Sequence, residues 1–240
     1  MGFLESYGNN IILAFLAGFL PPLIWLWFWL KKDPHPEPRS ILILTFLGGM
    51  LSVLVAFVLE YAVNIFKESF SIKETVFVAI ITLFLWAIIE ETVKYLSARF
   101  TALKRMSFDE PVDAIIYMVT AALGFAALEN VLFLFNVCGE FGINSGFITG
   151  NLRFIGATLL HTASSALVGA SIAFAFFHKE KMHRNIIGGI FLATILHFLF
   201  NFFIMRIEKI DAMLKIFIPL WIIIIIIFFI FEKVKKIKNQ

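Results

Sequence analysis

Seven stretches of this chain are apolar for long enough to cross a bilayer, and that leaves few folds open. A helix rising about 1.5 Å per residue needs about 20 residues to span roughly 30 Å of hydrocarbon. Runs of that order occupy approximately 11–30, 40–62, 75–98, 112–136, 153–178, 185–205 and 212–231. Inside hydrocarbon every backbone N–H and C=O must find a partner within the protein, which restricts such a chain to a bundle of α-helices. Composition agrees, because 60% of the residues are hydrophobic and 30 of 240 are Phe. A soluble domain of this length could not enclose them. The expected fold is all-α: a polytopic bundle of about seven transmembrane helices, one domain over 1–240, multi-pass in the cell membrane and in contact with its lipids. Pro21 and Pro22 are expected to bend the first helix and Pro219 the last.

Loop charges set the expected orientation, since Lys and Arg are retained on the cytoplasmic side. Lys31, Lys32, Arg39, Arg99, Lys104, Arg105, Lys179, Lys181, Arg184, Lys233, Lys235, Lys236 and Lys238 fall on one side. Lys67, Lys73, Arg153, Arg206, Lys209 and Lys215 fall on the other. The N-terminus is therefore expected outside and the C-terminus in the cytoplasm. A formal charge of +3 gives no reason to expect a nucleic-acid partner. Cys138 is the single cysteine, so no internal disulfide can form.

Against that background "LFLWAIIEETVKYL" is anomalous, because Glu90, Glu91 and Lys94 interrupt the third run. Three such groups cost roughly 8–10 kcal/mol to insert, against about 5–9 kcal/mol returned by the uncharged residues before Glu90. The polar face must turn toward other helices or a wet cavity. Glu90 precedes Lys94 by one turn in the favourable order, and Glu91 precedes it by three residues. One carboxylate would satisfy the lysine, which leaves the second without an assigned partner.

Similar groups recur at comparable depth in other runs: Glu129 and Asn130 in the fourth, His161 in the fifth, His197 and Asn201 in the sixth. Small residues, among them Gly124, Gly169, Gly188 and Gly189, are expected to let the backbones approach. Glu129, His161 and His197 offer two imidazoles and a carboxylate, a ligand set suited to a catalytic Zn2+ with a fourth position for water. Glu90 or Glu91 could then act as general base, and Asn201 as oxyanion donor or supporting ligand. "SFDEPVDAII" reads either as a cap for the fourth helix, through Asp109, Glu110, Asp113 and Pro111, or as a gate at its cytoplasmic end. His35, His178 and His183 read as solvated loop residues.

The ordered set "EETVK" (90–94), "FDEPVDAIIY" (108–117), "GFAALEN" (124–130), His161 followed by Gly169, and "HFLFN" (197–201) resembles the motifs of PrsW-type intramembrane proteases. The resemblance covers 75–205. That family is related to the type II CAAX prenyl endopeptidases and to the multispanning scaffold subunit of gamma-secretase. Ala114 and Met118 stand where the family pattern has glycines, and Phe133 where it has an aromatic hydroxyl. The resemblance implies cleavage of a membrane-anchored protein, typically an anti-sigma factor, with Glu90 and Glu91 as the paired glutamates and His197 with Asn201 as an H-x-x-x-N motif. The expected function is thus an intramembrane endopeptidase acting on a single-span membrane protein. Whether a metal or Glu and His alone carry the reaction stays open, as does the oligomeric state. The alternatives are a non-catalytic scaffold, and a proton- or ion-coupled transporter, which would also bury Glu, His and Lys but would show the inverted repeats absent here.

Overall fold

The computed structural model describes residues 2–141, 156–205 and 210–237, and among them the only regular elements are seven helices. They are α1 (Gly2–Leu30), α2 (Arg39–Ser69), α3 (Val76–Thr101), α4 (Pro111–Phe141), α5 (Ala157–Phe174), α6 (Lys179–Ile204) and α7 (Ile210–Val234). Six are long and apolar enough to cross a membrane, and α1 adds the apolar stretch Ala14–Leu30. Most overrun the hydrocarbon-length stretches read from hydropathy, since a helix need not stop where its side chains become polar. The continuous helix of α1 runs through Pro21 and Pro22, and that of α7 through Pro219. The start of the fifth run, with Arg153, lies outside the described residues, as do Arg206 and Lys209.

Local chemistry sets the helix ends. The Thr75 hydroxyl accepts the Val78 N–H at 3.2 Å and caps α3. At α4 the Asp113 carboxylate accepts the N–H groups of Asp109 at 3.0 Å and Glu110 at 2.7 Å, so the capping expectation for this segment describes what Asp113 does. Tyr117 donates to Glu37 and lies 2.8 Å from the Ser107 hydroxyl, fastening the loop before α2 to α4. In that loop burial pushes the Asp33 carboxyl up to about 6, against the opposing hydrogen bond from the His35 N–H.

Helix α4 is the axis of the bundle. Residues 111–127 are buried on every face, the pattern of a helix surrounded by others. It packs on α1, α2 and α5; α6 packs on both α5 and α3. The outer helices turn Leu51, Val58, Phe77, Phe191 and Ile225 outward, a surface matched to hydrocarbon. Two close crossings depend on glycine. A Cβ on Gly124 would overlap the Phe46 carbonyl of α2, and one on Gly169 would come within 2.6 Å of the Ile115 backbone. Gly188 differs from expectation: nothing lies within 4 Å of the position a Cβ would take. Gly124→Ala is therefore expected to cost about 1–3 kcal/mol through overpacking. Gly188→Ala should be neutral or gain up to about 1 kcal/mol of helix propensity. Thermal unfolding in detergent measures both.

Candidate metal centre

The crossing of α3 and α6, with α4 and α5 beside it, gathers the ionisable side chains that made the third run anomalous. Glu91 and Lys94 are both 0% exposed. Glu91 Oε1 accepts from Lys94 Nζ at 2.6 Å, His197 Nδ1 at 2.7 Å and the Ser164 hydroxyl at 2.9 Å. Three elements converge on one oxygen, which fixes α3, α5 and α6 at this level.

Hydrogen positions follow from what each group can donate. Lys94 has only donors, so His161 Nδ1, 3.0 Å from Nζ, is an acceptor. The proton of His161 then sits on Nε2, facing Glu129 Oε2 at 2.9 Å. His197 reverses the order: Nδ1 donates to Glu91 and Nε2 keeps its lone pair. Both lone-pair nitrogens face one atom, Glu90 Oε2, which is 3.8 Å from His197 Nε2 and 3.9 Å from His161 Nδ1. Glu90 Oε2 is buried and has no hydrogen-bond partner among the described residues, with Lys94 Nζ 4.0 Å away. The two rings stand edge to face with centroids 5.2 Å apart, and Phe125 packs against His161 at 5.3 Å.

Glu90, His161 and His197 thus present ligand atoms within 4.8 Å of one another. Two imidazole lone pairs and an orphaned carboxylate oxygen suit a borderline divalent ion. Each imidazole is held by a carboxylate on its far nitrogen, the arrangement that orients histidine toward a metal. Charge points the same way, because the carboxylates of Glu90 and Glu91 share the ammonium of Lys94, and Glu129 adds a third carboxylate on His161. The residues present fit a metal, although Lys94 holds the His161 lone pair that a metal would take.

Five of the six residues singled out from sequence come together here. Glu90 stands with His161 and His197 in the group whose ligand atoms could hold a metal, and Glu129 stands on the outer nitrogen of His161. Asn201 is half-buried one turn beyond His197, and its side chain makes no hydrogen bond among the described residues. Sequence reasoning missed Glu60 of α2, which interacts electrostatically with Glu90, Glu129 and Lys94. Its signal was an acid within the second apolar run. The Ser164 hydroxyl is also committed here, donating to Glu91. A second acidic group, Glu37, Asp109 and Asp113, lies at the other end of α4 and is occupied with the capping and loop contacts already described.

A sequence profile described as PrsW family intramembrane metalloprotease matches residues 37–231, a wider span than the motif-bearing 75–205. Among curated relatives, Protease PrsW of Oceanobacillus iheyensis is 28% identical over 86% of this chain and 90% of its own. Protease PrsW of Clostridioides difficile is 29% identical over 80% of this chain and 79% of its own. That of Bacillus subtilis is 26% identical over 85% and 89%. No solved structure matches the chain. With a profile covering most of its length and six apolar helices able to cross a membrane, this multi-pass membrane protein belongs to the PrsW family of intramembrane metalloproteases.

Proposed function

We propose that the chain hydrolyses a peptide bond in a single-span membrane protein, such as an anti-sigma factor, admitted laterally between its helices, with Zn2+ held by Glu90, His161 and His197. The observation that carries this reading is the orphaned Glu90 Oε2 facing two imidazole lone pairs whose opposite nitrogens are each tied to a carboxylate. When bound, the ion supplies a water of lowered pKa and a Lewis acid toward the scissile carbonyl.

The remaining steps belong to the chain's own side chains. Glu91, saturated at Oε1 by three donors, holds His197 in the tautomer that leaves Nε2 free. Glu129 does the same for His161 and, with its side chain 22% exposed, is the carboxylate at this level most open to water. It takes the proton from the attacking water and delivers it to the leaving amine. Asn201, with its amide uncommitted, donates to the oxygen that becomes negative in the tetrahedral intermediate.

The test is a cleavage assay with purified protein and a single-span substrate in liposomes. The expected result is cleavage abolished by 1,10-phenanthroline and restored by stoichiometric Zn2+. Undiminished cleavage in a metal-free preparation, or proton flux without proteolysis, contradicts the proposal.

A further inference from the structure

A pocket of about 220 Å³ opens where α3 ends and α6 begins, at the end of the bundle that loop charge assigns to the cytoplasm. Arg99, Lys104 and His183 line it, Phe108, Ile172 and Ile186 form apolar walls, and no carboxylate contributes. Arg99 spends one N–H on the Tyr95 hydroxyl at 2.9 Å, and the rest of its guanidinium fork makes no hydrogen bond among the described residues. Lys104 stands 4.9 Å over the Phe100 ring. Neither cation has an ion-pair partner among the described residues.

Two permanent positive charges in a half-enclosed, partly apolar hollow call for a compact anion. A planar guanidinium matches phosphate oxygens in a bidentate fashion, and a lysine adds a point charge. The volume is below the roughly 300 Å³ at which pockets for drug-sized ligands begin, which suits a headgroup better than a peptide segment. Phe100, whose ring lies under Lys104, is 64% exposed, so apolar outer surface adjoins the pocket's cation. A free phosphate would leave that surface unused; acyl chains would cover it.

We infer that this pocket binds the phosphate of an acidic phospholipid, with the headgroup on Arg99 and Lys104 and the acyl chains along the outer faces of α3 and α6. Basic pockets between transmembrane helices recognise anionic headgroups through this chemistry. The bound lipid bridges α3 and α6, the helices that carry Glu90 and His197, and its binding is independent of the catalytic assignment.

The experiment titrates the full chain, purified in neutral detergent, with phosphatidylglycerol, phosphatidylcholine, inorganic phosphate and tetraglutamate. Native mass spectrometry reads retained lipid, and thermal unfolding reads stabilisation. Phosphatidylglycerol is expected to be retained and to raise the unfolding midpoint, and phosphatidylcholine to do neither. Arg99→Gln/Lys104→Gln should bind phosphatidylglycerol about thirtyfold more weakly, and Lys104→Gln alone, at an exposed position, about fivefold. A Lys31→Gln/Lys32→Gln control, altered in the turn after α1 at the same end, should bind as wild type. Equal binding by wild type and the Lys104→Gln variant overturns the inference. So does equal retention of phosphatidylcholine, displacement by inorganic phosphate at equal concentration, or displacement by tetraglutamate at a lower one.

Discussion

Glu90→Gln is expected to strip the protein of metal and to lower cleavage by more than about 100-fold, whereas Glu129→Gln should lower metal affinity by only about 10–100-fold, the range for groups that orient a ligand. The order follows from position. Glu90 Oε2 faces the lone pairs of both histidines, and Glu129 reaches only the protonated nitrogen of His161. If Glu90 were the general base and Glu129 the ligand, one of the two assignments the sequence leaves open, the order of metal loss would invert. Glu90→Gln would then keep its metal while losing activity. Metal content and cleavage rate measured on the same preparations separate the two assignments. His161→Ala and His197→Ala should behave as Glu90→Gln does.

Lys94→Met should destabilise the protein by about 3–5 kcal/mol, because it leaves buried carboxylates without their cation. Glu91 is 0% exposed, and Lys94 is its only Lys or Arg partner among the described residues. Adding Glu91→Gln removes the stranded charge while keeping an acceptor for His197 and Ser164. The double variant should therefore recover much of the lost stability. Its activity should stay low, since an amide holds the His197 tautomer less firmly than a carboxylate. Unfolding in detergent across the four proteins of the cycle measures the coupling. Equal destabilisation by the single and double variants would show that the buried charge is not the cause.

Much of this arrangement was legible in the chain because hydrocarbon makes polar residues conspicuous. Apolar runs fixed the helices, and the insertion cost of Glu90, Glu91 and Lys94 required a polar interior for them to face. The small residues at 124 and 169 marked two real crossings, but Gly188 looks identical in sequence and packs on nothing, since spacing does not say which face of α6 meets α5. The division of labour proposed for the carboxylates was not legible. It depends on which nitrogen of each imidazole points inward, and that is set by Lys94 reaching His161 Nδ1 while Glu91 takes His197 Nδ1. Glu60 escaped for a related reason. It lies near the end of an apolar run, where an acid is cheaply accommodated at the interface, and only the packing of α2 against α3 and α4 brings it within electrostatic reach of Glu90.

The most direct test is the X-ray absorption spectrum of the metal in purified, active protein. The account predicts about one zinc per chain with two imidazole nitrogens and oxygen donors at roughly 2.0–2.2 Å. A single-imidazole shell, or full activity in protein that holds no metal, would contradict it.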